Sequence, residues 1–128
     1  MIVYSSPRIS AEFEILKTRR PDLWFCVHAV AGILKEKYQI DARITCIYRT
    51  DEENSALKAQ SRTHVEWRAV DIGARELTTE QRKETIELLN GILSAIPGKM
   101  SFCDPRAIHG TGPHFHLQAP MTGKVVFL

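Results

Sequence analysis

The sequence predicts an α+β domain, with a small, mostly antiparallel sheet backed by helices. Stretches with apolar residues at helical spacing are interleaved with short runs rich in β-branched and aromatic residues. Those runs are too short, and their alternation with helices too irregular, for a doubly wound parallel sheet. At 128 residues, without repeats, low-complexity tracts or linker-like composition, the chain reads as one domain spanning 1–128. That length can bury a core without disulfides.

Pro21 suits the first turn of a helix, and Leu23, Trp24, Val27, Val30, Ala31 and Leu34 then recur on one face as far as about Tyr38. His28 lies within this helix and reads as a partly buried packing residue. Ala42 to Tyr48 reads as a strand with Ile44, Cys46 and Tyr48 on one face. Thr50 and Glu53 have the spacing of a capping box, so the strand passes through Arg49 into a short helix expected to reach about Gln60. Arg68 to Gly73 is a second strand, with Val70 and Ile72 facing one way and Ala69 and Asp71 the other. A second capping box, Thr78 with Gln81, opens a helix with the stripe Ile86, Leu89, Leu93 and Ile96, which Pro97-Gly98 ends. Lys99 to Cys103 and His114 to Gln118 are further strands, and Lys124 to Phe127 closes the series.

Composition excludes several classes. A hydrophobic share of 44% and a charged share of 25% belong to an ordinary globular protein, not a disordered or fibrous one. The formal charge of +2 is too small for a nucleic-acid binder, and Lys17, Arg19 and Arg20 read as a solvated basic turn before Pro21. Cys26, Cys46 and Cys103 are odd in number and widely spaced, so they read as buried thiols in a reducing compartment. The N-terminus lacks the basic and apolar regions of a signal peptide, and no stretch approaches the ~20 apolar residues of a membrane span. The expectation is a monomer, made in the cytoplasm, that binds neither nucleic acid nor membrane.

The chemistry concentrates in two places. In an extended segment, His114 and His116 project from one face while Phe115 packs on the other. They can share a metal, or one can bind it while the other touches substrate. Asp71, flanked by Val70 and Ile72, is expected near the buried part of the sheet, where an unpaired charge is costly. Arg49 or Arg68 could compensate it, and a divalent metal would do so more completely. His64 lies seven residues earlier, close enough for the intervening loop to bring imidazole and carboxylate together. Two nitrogens and one oxygen on zinc leave a fourth position for water, the arrangement of a catalytic site.

These residues carry a family resemblance. The stretch S-R-T-H-V-E-W-R-A-V-D-I, Ser61 to Ile72, resembles the first metal motif of the D-alanyl-D-alanine carboxypeptidase and Hedgehog-type fold. G-P-H-F-H-L-Q, Gly112 to Gln118, is similar to the second, and I-T-C-I-Y-R-T, Ile44 to Thr50, to the strand and arginine that precede the first. The resemblance covers positions 44 to 118 in the family's order. It implies zinc held by His64, Asp71 and a third ligand: His116 in members with the alternating pair, His114 in some phage members with a single histidine. It departs at Trp67, where the family has glycine, at Arg62, where it has serine, and at Thr111, where it has the acid or histidine that serves as general base.

What the resemblance implies is a zinc peptidase that cleaves peptidoglycan stem peptides, as an L-alanyl-D-glutamate endopeptidase or a D-alanyl-D-alanine carboxypeptidase. Arg49 would bind a substrate carboxylate, its alternative being a salt bridge to Asp51 or Glu52. With Thr111 in the base position, His109 and His114 are the candidates for moving the proton, followed by Glu66. The short chain without a signal looks most like the phage enzymes, which reach the wall at lysis or on a virus particle. The competing expectation, favoured by Thr111, is a zinc-binding structural or wall-binding module of a virus particle that has lost turnover.

Overall fold

The computed structural model describes residues 1–93, 101–103 and 113–119. Its strands and helices follow in the order β1 (Ile2–Tyr4), α1 (Pro7–Arg19), α2 (Pro21–Tyr38), β2 (Ala42–Cys46), α3 (Asp51–Ala56), β3 (Ala69–Gly73), α4 (Thr79–Leu93), β4 (Ser101–Cys103) and β5 (His114–Gln118). The strands form one sheet in the order β1-β2-β3-β5-β4. Only β1 and β2 run parallel; the other pairs are antiparallel. The expected α+β class with a mostly antiparallel sheet is the one observed.

The period-two pattern decides which face is dry. Ile44 of β2, Val70 and Ile72 of β3, and Phe115 and Leu117 of β5 are fully buried. They meet Phe13 and Leu16 of α1, Leu23, Val27, Val30 and Leu34 of α2, and Leu89 of α4 in one core. Burying side chains of this size contributes about 1.5–3 kcal/mol each. The alternate residues Asp71, His114 and His116 are thereby carried to the opposite face. Among the described residues, no helix is long and apolar enough to cross a membrane.

Two N-terminal elements have no counterpart in the sequence reading. A three-residue β1 is too short to display alternation, and the buried side of α1 includes a carboxylate, Glu12, that takes a bond from Arg8 Nε at 2.6 Å. Ser6 caps α1 by accepting from Ile9 N, with Pro7 in the first turn. The basic cluster stands at the junction of α1 and α2, with Lys17 and Arg19 exposed as expected and each also in contact with a neighbour. Lys17 Nζ lies 5.3 Å from the Trp24 ring, the Arg19 guanidinium 5.1 Å from the Trp67 ring, and Arg20 pairs with Asp22 at 2.6 Å. His28 is exposed, yet its ring meets Trp24 edge-on with centroids 4.4 Å apart.

Both capping boxes form. Thr50 Oγ1 accepts from Glu53 N at 3.1 Å while Glu53 Oε1 accepts from Thr50 N at 2.9 Å, and Thr78 and Gln81 exchange the equivalent bonds. Helix α3 stops at Ala56, short of Gln60, because Lys58 turns into the left-handed region with φ 53°. Thr50→Ala is expected to lower stability by about 1 kcal/mol in urea denaturation. An unchanged midpoint would show that the cap contributes nothing. Leu93 ends α4 in the described backbone, whereas the Ile96 stripe position, the Pro97-Gly98 stop and the strand expected at 124–127 lie outside the described residues.

Candidate metal centre

Asp71 stands in the middle of the sheet. Its neighbours in register are Cys46 on β2 and His116 on β5. Only 3% of Asp71 is exposed, so its charge is withdrawn from water and must be met by the protein. His116 Nδ1 donates to Oδ1 at 3.0 Å, and His64 Nε2 lies 3.3 Å from the same oxygen. On the other side, His114 Nε2 and an Arg49 nitrogen stand 3.7 and 3.8 Å from Oδ2. Three imidazoles and a guanidinium thus converge on one carboxylate.

The loop between α3 and β3 delivers His64. Arg68 N bonds to Thr63 O at 2.7 Å and Trp67 N to His64 O at 3.3 Å, which folds the loop back over β2. Trp67 takes φ 59°, a left-handed conformation that costs a bulky residue roughly 1–2 kcal/mol. Its ring stacks on Tyr48, with centroids 4.8 Å apart and 15° between the planes, and this contact offsets the strain. The Trp67 ring therefore ties the His64 loop to the segment that follows β2. Arg62 turns to Asp51 at 2.9 Å.

The tautomer of His64 follows from its contacts. Nδ1 lies 2.9 Å from the Ile47 carbonyl, so Nδ1–H donates there and Nε2 is the nitrogen turned to Asp71. Nε2 is buried and makes no hydrogen bond, because the contact to Oδ1 is close but misaligned. A ring nitrogen this close to a carboxylate carries either a proton or, once that proton is displaced, a metal ion. This buried, orphaned nitrogen is the feature of the chain that a metal fits, and the carbonyl bond at Nδ1 is the usual outer support of a histidine ligand.

Burial opposes the charged forms of both groups, yet their mutual attraction overcomes it. His64 is pushed up to about 10 by its contacts with Asp71 and Cys46. Asp71, despite its burial, is held well below the carboxylate range by His116 and His64. In metal-free protein at neutral pH, His64 therefore keeps a proton that a metal must displace. Zinc binding near pH 7 is expected to release about one proton. Calorimetric titrations in buffers of different ionisation heat measure it, and binding without proton release would contradict this assignment.

A further candidate ligand, of another kind, is present. Cys46, His64 and Asp71 each offer a ligand atom within 4.8 Å of the other two, a set that could hold a metal ion. Sγ of Cys46 lies 3.5 Å from His64 Nδ1. The sequence places Cys46 on the same face as Ile44, and a β-bulge separates them. Ile44 pairs with Ile72, but Cys46, not Thr45, pairs with Asp71. The extra residue shifts the phase, turning Cys46 to the metal face and Ile47 into the core. Cys26, by contrast, is the expected buried thiol, its pKa pushed up to about 11 by burial.

His64, Asp71, His114 and His116 are therefore gathered at one place. His116 is further held at Nε2, 3.1 Å from Gln118 Oε1. Arg49 is 8% exposed and turns to Asp71 and to Asn54 Oδ1 at 3.5 Å, away from the salt bridges considered with Asp51 or Glu52. Of the two arginines that could compensate Asp71, Arg49 does so; Arg68 pairs with Glu66 and donates to Ala119 O. His109 and Thr111 lie outside the described residues. No family model, curated protein or solved structure matches the chain.

Proposed function

We propose that the chain is a zinc-dependent peptidase of the Hedgehog/DD-peptidase-like fold that cleaves peptidoglycan stem peptides. The L-alanyl-D-glutamate endopeptidase or D-alanyl-D-alanine carboxypeptidase type is meant, and the enzyme reaches the wall at lysis or on a virus particle. The carrying observation is the buried Nε2 of His64, without a hydrogen bond and 3.3 Å from the buried Asp71, beside a histidine pair from an adjacent strand. That strand, loop and strand follow one another in the order of the motifs that resemble the family.

In this reading His64, Asp71 and His116 hold the metal. Zinc supplies a Lewis acid that polarises a carbonyl and lowers the pKa of water. Arg49 holds the Asp71 carboxylate in place, and its burial favours that role over contact with a substrate carboxylate. His114, 3.7 Å from Asp71 Oδ2, is the imidazole poised to move a proton where Thr111 cannot, with His109 as the other candidate.

One observation favours a second reading. The ligand atoms of Cys46, His64 and Asp71 lie close together, and a β5 histidine added to these three would close a four-ligand site, the pattern of structural zinc. The chain would then be a zinc-stabilised module of a virus particle without turnover. Release of new amino termini from purified peptidoglycan by the zinc-loaded protein separates the two. The peptidase reading expects cleavage, and none across several wall chemotypes, with zinc bound, would overturn it.

A further inference from the structure

Among the described residues, Arg43 and Arg75 are the two arginines whose guanidinium groups make no hydrogen bond, ion pair or ring contact. Every other described arginine is held by a carboxylate, a backbone carbonyl or an aromatic ring. Both unengaged arginines are exposed, and both line one cleft of about 480 Å³. A cationic side chain left unpartnered is ordinary on a surface. Two of them lining the same cavity, while their counterparts are all engaged, offers an anion two guanidinium donors there.

The cleft adjoins the metal centre. Its lining includes His114, whose Nε2 is 3.7 Å from Asp71 Oδ2, and Thr45, whose hydroxyl donates to the Asp71 carbonyl at 3.4 Å. Gly73, the register partner of His114, contributes to its floor. A Cβ at Gly73 would meet the Arg43 carbonyl oxygen and Thr45 Cγ2 at 3.7 Å, ordinary contact, so the glycine keeps room that a larger side chain would fill. Two residues along β3 from Asp71, the sheet thus has a gap in its side chains between Arg43 and His114.

The charges in the lining select the ligand. Guanidinium pairs bidentately with carboxylate. Asp41 is engaged by Lys35 at 3.2 Å, and the exposed Glu76 offsets one of the two arginines. The remaining positive charge is too small for a polyphosphate backbone and fits a peptide with single carboxylates. A cavity of this size accommodates a ligand no larger than a short peptide segment. Arg49, being buried on Asp71, is not placed to read that carboxylate.

We propose that this cleft is the substrate subsite that takes a carboxylate-bearing residue next to the scissile bond, with Arg43 and Arg75 reading the carboxylate and Gly73 keeping the floor open. The inference rests on the peptidase reading above. Soluble muropeptides, released from purified wall with a muramidase, are the probe, used with free or amidated carboxylates. The zinc-loaded wild type is compared with the Arg43→Met/Arg75→Met double variant and with Gly73→Val, zinc content and circular dichroism being checked for each.

If the wild type cleaves, the double variant is expected to raise KM about tenfold or more, the size of a lost charge-assisted contact. Gly73→Val should raise KM in the same direction, and amidation should weaken the wild type but not the double variant. An unchanged KM in the double variant overturns the subsite and leaves the peptidase reading standing. If the wild type does not cleave, the peptidase reading fails by itself, and calorimetric binding of the same muropeptides decides the subsite. Tighter binding by wild type than by the double variant supports it; equal binding or none overturns it.

Discussion

Metal-free Asp71→Ala protein is expected to be about 3–5 kcal/mol less stable than metal-free wild type, because removing one partner leaves buried cations without their counter-charge. Arg49, 8% exposed, and His64, 3% exposed, both lose the carboxylate they face. The pH dependence carries a sign for each group. Asp71 has a depressed folded pKa, so its contribution is present above the ordinary value of 3.8 and is lost as pH falls below it. His64 has a raised folded pKa, so its contribution is complete below 6.5 and is lost as pH rises towards about 10. The gap between wild type and variant should therefore be widest between about pH 4 and 6.5 and narrow on either side. Urea denaturation with chelator present across that range measures it. Equal stabilities at pH 6 would mean that the cluster is not the tightly coupled group its geometry describes.

The second large effect concerns cleavage. If the chain is the peptidase proposed, His64→Ala is expected to lower the rate of peptidoglycan cleavage about 10³-fold or more, since loss of the metal would remove several kcal/mol of transition-state stabilisation. His116→Ala should behave alike if His116 is the third ligand. His114→Ala, in contrast, should retain zinc while losing the ~10²–10⁴-fold contribution of a proton-transferring group. Zinc content read beside the rate thus assigns the two β5 histidines. Undiminished cleavage by His64→Ala would remove the metal from the account.

Much of this centre was legible because two short segments follow the period-two rule without interruption. Asp71 between Val70 and Ile72, and Phe115 between His114 and His116, each signal a strand with a dry face and a polar one, and the register of β3 against β5 sets Asp71 opposite His116. Cys46 was hidden for the opposite reason. The run Ala42 to Tyr48 alternates cleanly on paper, and only pairing with β3 introduces the bulge that sends Ile44 and Cys46 to different faces. The role of Arg49 was equally a matter of tertiary contact, as nothing local distinguishes a guanidinium that meets Asp71 from one that meets Asp51. Helix α1 lacks a clean apolar stripe in the sequence because its buried face contains Glu12, whose partner Arg8 also reaches Glu53 at 2.6 Å.

The most direct measurement is the zinc content of the protein purified without chelators from zinc-replete cells. The expected result is about one zinc per chain, falling to a small fraction in both His64→Ala and Asp71→Ala. Wild-type protein that emerges without metal under those conditions would contradict the assignment of His64 and Asp71 as ligands, and with it the peptidase built upon them.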